Sequence, residues 1–122
     1  MNTDKQKIGQ IGERITEEYL RKHGYIIVKR NYRDRFGEID LIAENRSFLV
    51  FVEVKTRTQN ALFSGREAVD SHKQKRIIAT ARGFAKRLHL DLQMRFDVCE
   101  ITILDEQDNH WKYHLNYIPS AF

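Results

Sequence analysis

The sequence contains one cysteine and one proline, and its longest unbroken apolar run is the five residues 48–52. The lone Cys99 cannot form an internal disulfide, and it has no Cys or His companion at the spacing of a structural zinc site. A membrane-spanning helix needs roughly 20 apolar residues, and residues 1–20 have no apolar core of the signal-peptide kind. We therefore expect a protein of the reducing cytoplasm.

Basic residues are in excess and unevenly distributed along the 122 residues, which carry 21 Lys and Arg against 17 Asp and Glu. Nine basic and five acidic residues fall in residues 1–35, seven and one in residues 71–95, and one and five in residues 96–122. A concentrated basic surface is typical of nucleic-acid binding, although a solvated helix face gives the same pattern. Length and composition predict one soluble globular domain over residues 1–122.

Apolar periodicity predicts a helix, three strands, a second helix and two more strands. The helices are predicted over residues 7–22 and 70–88. The strands are predicted over residues 25–32, 38–43, 48–56, 94–104 and 110–118, with turns at 33–37, 44–47 and 105–109 and a loop over 57–69. Because a helix separates the third and fourth strands, we expect these two to pair in parallel through a right-handed crossover. The prediction is an α/β domain with a mixed sheet and flanking helices.

Two acids and a lysine, Asp40, Glu53 and Lys55, lie on the second and third predicted strands. Successive strand side chains point to opposite faces, so Glu53 and Lys55 share a face. An antiparallel hairpin with an even-numbered loop adds Asp40 to that face and puts Ile39 and Leu41 on the other. Asp40 then lies opposite Glu53 or diagonal to it, at about 5 Å or 7–8 Å.

Two carboxylates this close repel each other, and a shared divalent cation removes the repulsion. Carboxylate oxygens suit Mg²⁺ or Mn²⁺, which keep several waters and accept phosphate oxygens. An ammonium group at Lys55 can orient an attacking water or stabilise charge on a phosphoryl oxygen. The pattern predicts a metal-dependent phosphodiester hydrolase; the alternative is a surface hairpin with cross-strand salt bridges.

Five sequence blocks occur in order: GxxGE at 9–13, GYxIVxRNYR at 24–33, GEIDLIA at 37–43, FVEVKTR at 51–57 and RFDV at 95–98. Together they resemble the PD-(D/E)XK nuclease superfamily and, more closely, a small bacterial family whose member in enteric bacteria is YraN. The resemblance implies a restriction endonuclease-like αβββαβ core, which is the order that periodicity predicts, followed here by one C-terminal strand. Ile39 stands where the superfamily often has the proline of its name.

The resemblance also implies roles for individual residues. Asp40 and Glu53 would bind Mg²⁺ or Mn²⁺, and Lys55 would be the catalytic lysine. Glu13 matches the helix acid that assists metal binding in archaeal Holliday junction resolvases, and the backbone carbonyl of Val54 would be a further ligand. The implied activity is endonucleolytic cleavage of DNA, with branched or processed DNA as the leading substrate and RNA left open. A junction-cutting enzyme needs two sites, which implies a homodimer.

Basic residues of the second helix and of the first hairpin are candidates for contacting the nucleic-acid backbone. The mixture of basic and aromatic side chains over residues 29–36 also suits unpaired bases, and its alternative is a solvated hairpin tip. The candidate nucleic-acid-binding residues are Lys29, Arg30, Arg33, Arg35, Arg57, Lys73, Gln74, Lys75 and Arg76.

Two other functions stay open. The chain could be a nucleic-acid-binding module that does not cut, or a protein-interaction domain whose basic surface meets an acidic partner. Elsewhere we expect Arg95 and Asp97, on one side of the fourth strand, to form a structural ion pair. We expect Gly9 and Gly12 to serve close packing at the helix start more than approach to a phosphate.

Overall fold

The chain folds as a mixed α/β structure in a computed structural model, which describes residues 2–59, 69–88, 91–107 and 110–122. Within these ranges five strands form one open sheet, in which the strands lie side by side in chain order. The elements are α1 (Asn2–Lys22), β1 (Ile26–Arg33), β2 (Glu38–Glu44), β3 (Phe48–Thr58), α2 (Ser71–Leu88), β4 (Gln93–Gln107) and β5 (His110–Ile118). Strands β3 and β4 pair in parallel and the other neighbours pair antiparallel.

The order of elements and the parallel pairing are confirmed, whereas several element ends are not where the sequence predicts them. Helix α1 begins at Asn2, β3 continues to Thr58, and β4 continues to Gln107 into the predicted turn 105–109. Strand β3 is longer because it pairs with β4 without a break from Phe48–Gln93 to Thr58–Ile103. Strand β4 is longer because it stays paired with β5 as far as Gln107–His110. Residues 108–109 of that turn and residues 60–68 of the predicted loop lie outside the described residues.

The central strand β3 is buried on both faces. Val50 and Val52 pack in the cluster that contains Ile11 and Ile15 of α1. On the other face, Leu49 and Phe51 belong to the cluster with residues of α2 (Ile77, Ala81 and Phe84). Each such buried side chain contributes about 1.5–3 kcal/mol relative to an exposed one, so the run at residues 48–52 fixes a helix against each face. Neither of the two helices described combines the length and apolar character needed to cross a membrane.

The face alternation of β2 is interrupted at Asp40. Leu41 packs in the α1-side cluster, as alternation predicts, but Ile39 packs with Ile42 in the α2-side cluster. The prediction that Ile39 shares a face with Leu41 is therefore wrong. The physical reason is the pairing: β2 stays paired with β1 through Ile39 and beyond, but its continuous pairing with β3 ends at Leu41–Val52. Strands β2 and β3 thus form a fork, with Asp40 at its opening.

A buried ion pair ties the C-terminus to the sheet, on strand β4. Arg95 donates to both carboxylate oxygens of Asp97, and the Asp97 side chain has no exposed surface. The same carboxylate accepts hydrogen bonds from the Tyr117 hydroxyl at 2.6 Å and from the Ser120 amide at 2.9 Å. Arg95 also donates to the Tyr25 hydroxyl at 2.8 Å. The predicted structural role of Arg95 and Asp97 is confirmed.

Helix α1 crosses β3 at Gly12, where the backbone of the helix touches the side chain of Thr56. A side-chain carbon at Gly12 would overlap Thr56, whereas one at Gly9 would meet nothing within 4 Å. Close packing is therefore the role of Gly12, as expected, but not of Gly9. The contact also holds the following residue, Glu13, close to the β2–β3 fork.

We expect Gly12→Ala to destabilise the fold by about 1–3 kcal/mol, the usual result of overpacking a close contact. Gly9→Ala is the matched control. It should stabilise the fold by about 0.5–1 kcal/mol, because alanine restricts the unfolded chain and favours the helix. Urea unfolding of the two variants measures both changes. Equal effects of the two substitutions would contradict the close approach of α1 to β3.

Candidate active site

Asp40 and Glu53 lie side by side at the opening of the β2–β3 fork. Extending the register beyond Leu41–Val52 places Asp40 opposite Glu53, one of the two arrangements that the sequence predicts. Oδ2 of Asp40 accepts a hydrogen bond from the backbone N–H of Val54 at 2.8 Å. The Glu53 carboxyl group in turn donates a hydrogen bond to Asp40. The fork thus brings the two predicted acids together and fixes the orientation of Asp40.

Burial makes the Glu53 carboxyl group a weak acid. The residue is 8% exposed, and this burial, with the hydrogen bond and the negative charge of Asp40, raises the pKa of Glu53 to about 8. The cations of Lys73 and Lys55 oppose the shift without cancelling it. Near neutral pH Glu53 therefore keeps its proton, as expected for a buried carboxyl group beside another when no cation neutralises them.

Two lysines complete a hydrogen-bonded cluster with these acids. Nζ of Lys73, on α2, lies 3.3 Å from Oε1 of Glu53. Burial, a hydrogen bond with Lys73 and the positive charge of Lys73 lower the pKa of Lys55. Burial also disfavours the charge of Lys73, but Glu53, Lys55 and Asp40 together raise its pKa. Of the two lysines, Lys55 is therefore the weaker base, and Lys73 keeps its charge more readily.

The sequence places Lys73 among the nucleic-acid-binding candidates, and the structure places it within the acidic cluster as well. We name Asp40, Glu53, Lys55 and Lys73 the fork cluster. It joins β2, β3 and α2, three elements that are distant along the chain.

Glu13 approaches Asp40 from α1. Burial and the negative charge of Asp40 raise the pKa of Glu13, and a hydrogen bond with the Asn31 side chain opposes that shift. Asn31 lies on β1 between the pairs Arg30–Leu41 and Tyr32–Ile39, in register with Asp40. Its backbone has a φ of +48°, a conformation that asparagine tolerates better than most residues.

Asn31 is a site residue that the sequence reasoning missed. The available signal was its type, because an asparagine inside a predicted strand often marks a local break in regular structure. Its partner, Glu13, comes from a helix, so no strand pattern could reveal the contact.

The fork cluster has the donor chemistry of a magnesium or manganese site. Asp40 and Glu53 offer adjacent carboxyl oxygens, which are the ligand type that these ions prefer. In the metal-free protein, the proton on Glu53 and the nearby Lys73 ammonium offset the negative charge of the pair. No group of three or more His, Cys, Asp and Glu side chains in the described parts of the chain could hold a metal ion. The metal-binding roles predicted for Asp40, Glu53, Glu13 and the Val54 carbonyl therefore stay predictions.

Several of the predicted nucleic-acid-binding residues have partners within the protein. Arg30 forms a two-point salt bridge with Glu17, with both N–O distances at 2.8 Å, and Arg33 lies 3.2 Å from Glu38.

The side-chain amide of Gln74 donates to the backbone carbonyl of Val69. That bond ties Gln74, predicted to contact nucleic acid, to the residue two positions before α2. The side chains of Lys29, Arg35, Lys75 and Arg76 are exposed, and Arg57 is half-buried near the end of β3.

We expect Glu53→Gln to stabilise the metal-free protein at pH 8 by at least about 1.4 kcal/mol, the equivalent of one pKa unit. The pKa of Glu53 is higher in the folded chain than its usual value of 4.5, so the folded state binds more protons between pH 4.5 and about 8. Its stability therefore falls as pH rises through that window. Glutamine keeps a hydrogen-bond donor toward Asp40 and has no charge to acquire.

Urea unfolding across this pH range, in EDTA, measures the difference between variant and wild type. The difference should be small at pH 4.5 and grow toward pH 8. The control is Glu18→Gln, at an exposed position of α1, which should give no such trend. A Glu53→Gln protein that is strongly destabilised at every pH would show that Glu53 is needed for structure alone.

Comparison with known proteins gives the family of the chain. Residues 12–101 match the uncharacterised protein family UPF0102. The chain is 40% identical over 117 residues to a UPF0102 protein of Clostridium botulinum (strain 657 / Type Ba4), covering 94% of this chain and 93% of the relative. It is 41% identical over 120 residues to a UPF0102 protein of Caldanaerobacter subterraneus subsp. tengcongensis, covering 98% and 97%. These matches confirm the family-level resemblance to YraN, and the chain belongs to the uncharacterised protein family UPF0102.

Proposed function

We propose that this protein is a metal-dependent endonuclease of the PD-(D/E)XK type that hydrolyses phosphodiester bonds of DNA. The observation that carries the proposal is the fork cluster: Asp40 next to the buried carboxyl group of Glu53, which has a raised pKa, with Lys73 3.3 Å from Glu53 and Lys55 on the same strand as Glu53. A surface hairpin with ordinary salt bridges would leave these groups solvated. Here Glu53 is buried next to a second carboxyl group. Titratable groups perturbed in this way cluster at functional sites.

The fold supports the same proposal. A helix, an antiparallel three-stranded unit, a second helix and a strand parallel to β3 follow one another, as in the αβββαβ core of restriction endonuclease-like enzymes. Fold alone does not give function, so the proposal depends on the side chains at the fork.

Asp40 and Glu53 would hold the metal ion, with water molecules completing its coordination. Mg²⁺ or Mn²⁺ supplies positive charge that polarises the scissile phosphate and makes bound water more acidic. Oδ2 of Asp40 is already oriented by the Val54 amide, so one ligand is positioned before any ion arrives. Glu53 must lose its proton to act as a ligand, which couples its ionisation to metal binding.

We propose Lys55 as the base. Burial and the neighbouring charge of Lys73 lower the pKa of Lys55, which favours the neutral amine that could take a proton from the attacking water. The water oxygen then bonds to phosphorus, the bond from phosphorus to the leaving oxygen breaks, and that oxygen takes a proton from solvent. The Lys73 ammonium is placed to stabilise the negative charge that grows on the phosphoryl oxygens.

Exposed basic side chains near the site would hold the DNA backbone. Lys75 and Arg76 lie on the same helix as Lys73, and Arg35 lies in the turn between β1 and β2. Phosphate contacts carry little sequence information, so we propose a structure-selective or weakly specific enzyme. Branched or processed DNA is the proposed substrate, and a dimer is proposed for cutting a four-way junction, which needs two sites.

We expect millimolar Mg²⁺ or Mn²⁺ to raise the melting temperature of the protein at pH 8, because an ion that binds only the folded state stabilises it by mass action. At 100 times the dissociation constant the gain is about 2.7 kcal/mol. Asp40→Asn and Glu53→Gln should each remove most of the shift, and Glu18→Gln should retain it. A shift of the same size in all four proteins would place the bound metal away from the fork.

We expect metal-dependent cleavage of at least one nucleic acid in a panel of labelled DNA and RNA: single strands, duplexes, flaps and four-way junctions. Lys55→Ala should lower the rate by about 10²- to 10⁴-fold, the usual contribution of a general base. Lys112→Ala, at an exposed position of β5, is the matched control and should cut like the wild type. Substituting EDTA for metal should abolish cutting.

Binding experiments alongside this assay distinguish the alternative functions. Absence of cutting, with binding that is intact in EDTA, indifferent to Lys55→Ala and lost when Lys73, Lys75 and Arg76 are changed, would indicate a binding module. Binding to an acidic protein that survives excess competitor DNA would indicate an interaction domain.

A further inference from the structure

An open cleft of about 360 Å³ lies next to the fork cluster, between the β1–β2 turn and α2. Residues 33–38 line one side of it, and Lys73, Arg76 and Ile77 line the other. Its volume is at the lower end of small-ligand pockets, which span roughly 300–1,000 Å³. Lys73 belongs to both places, since it lines the cleft and lies 3.3 Å from Glu53. A group bound in the cleft is therefore next to the proposed reaction centre.

The wall of the cleft on the strand side is held firmly to α2. Oδ1 of Asp34 accepts hydrogen bonds from the backbone amides of Phe36 and Gly37 and from the Thr80 hydroxyl, at 2.8, 3.1 and 2.9 Å. A side-chain carbon at Gly37 would lie 3.2 Å from Cβ of Arg76. The turn thus packs closely on the helix, and the cleft is preformed.

The turn presents an aromatic ring together with a cation. Phe36 is 45% exposed although it is a large apolar residue, and the guanidinium carbon of Arg35 lies 4.8 Å from its ring centre. Single exposed apolar side chains are common on protein surfaces, so the exposure of Phe36 matters here because the ring lies at the cleft beside a cation. Aromatic rings next to arginine are a common platform for stacking nucleobases.

The charges of the cleft favour an anionic ligand. Four basic side chains line it against two acids, and both acids have partners: Glu38 pairs with Arg33, and Asp34 holds the turn. A phosphate group would find the Arg76 guanidinium and the Lys73 ammonium on the helix side. An uncharged apolar ligand would make no favourable electrostatic interaction with these cations.

We propose that this cleft binds one unpaired nucleotide of the substrate, with its base stacked on Phe36 and its phosphate held by Arg76 and Lys73. The proposal rests on the proposed nuclease function and names its substrate class: DNA with an unpaired nucleotide beside the cut. In an intact duplex the faces of each base are covered by its neighbours, so Phe36 gains a stacking partner only from a base outside the stack.

Binding in EDTA tests this inference without cleavage. Three labelled duplexes are compared at one fixed salt concentration: one fully paired, one with a single unpaired adenosine, and one with an abasic linker in its place. The wild type should bind the unpaired adenosine on the order of tenfold more tightly than the abasic linker, as stacking of one base predicts. Phe36→Ala should bring that ratio to about one, while Phe36→Tyr should keep it.

Tyr113→Ala is the matched control, because Tyr113 is a similarly exposed aromatic residue on β5 that does not line the cleft. It should leave the ratio unchanged. Arg76→Gln should weaken binding of the unpaired and abasic duplexes by the same factor, since both retain the phosphate. Wild-type affinity of Arg76→Gln for all three duplexes would overturn the assignment of the phosphate.

The inference about the base is overturned if the wild type does not distinguish adenosine from the abasic linker, or if Phe36→Ala still does. Neither result depends on catalysis. A protein that cuts DNA but shows no preference for the unpaired base refutes the cleft alone. A protein that shows the preference but cuts nothing refutes the proposed nuclease.

Discussion

The pair of carboxyl groups at the β2–β3 fork is the constraint on which the rest of the structure depends. Asp40 and Glu53 lie close enough to form a hydrogen bond, and Glu53 is buried, so the pair is unfavourable wherever both groups are ionised. The fold tolerates it because β3 is held on both faces by apolar packing and along its whole length by β4. Packing of this extent can hold two like charges together, and the neighbouring cation of Lys73 offsets part of the repulsion.

The fork also explains why three elements meet at one point. Strand β2 pairs with β1 from Glu38 but with β3 only from Leu41 onward, so Asp40 lies just outside the continuous β2–β3 pairing. Helix α2 brings Lys73 to one side of the opening. Helix α1 brings Glu13 to the other, and it comes so near only because Gly12 lets its backbone touch Thr56. A site for an ion and a phosphate needs such convergence, because no single strand can surround a ligand.

The sequence predicts most of the fold, because apolar periodicity reflects burial directly. Five consecutive apolar residues at 48–52 indicate a strand that is buried on both faces. It also predicts that Asp40, Glu53 and Lys55 meet, since a hairpin fixes neighbours by register. It does not predict that alternation is interrupted at Asp40, because loss of pairing with β3 is a property of the sheet and not of β2 alone. Lys73 and Asn31 join the site through tertiary packing and an unusual φ, and neither leaves a periodic signal.

Lys73 links the fork to the neighbouring cleft, and this follows from where its two partners lie. In the metal-free protein its ammonium group lies 3.3 Å from Glu53 and is attracted by the negative charge of the carboxyl pair. In the proposed enzyme, an ion between the acids would offset that charge and leave Lys73 available to a phosphate in the cleft. Metal and nucleic acid would then favour each other's binding, and such coupling is reciprocal by thermodynamic necessity. A lysine shared between the two sites is sufficient for this coupling, and no movement of the backbone is required.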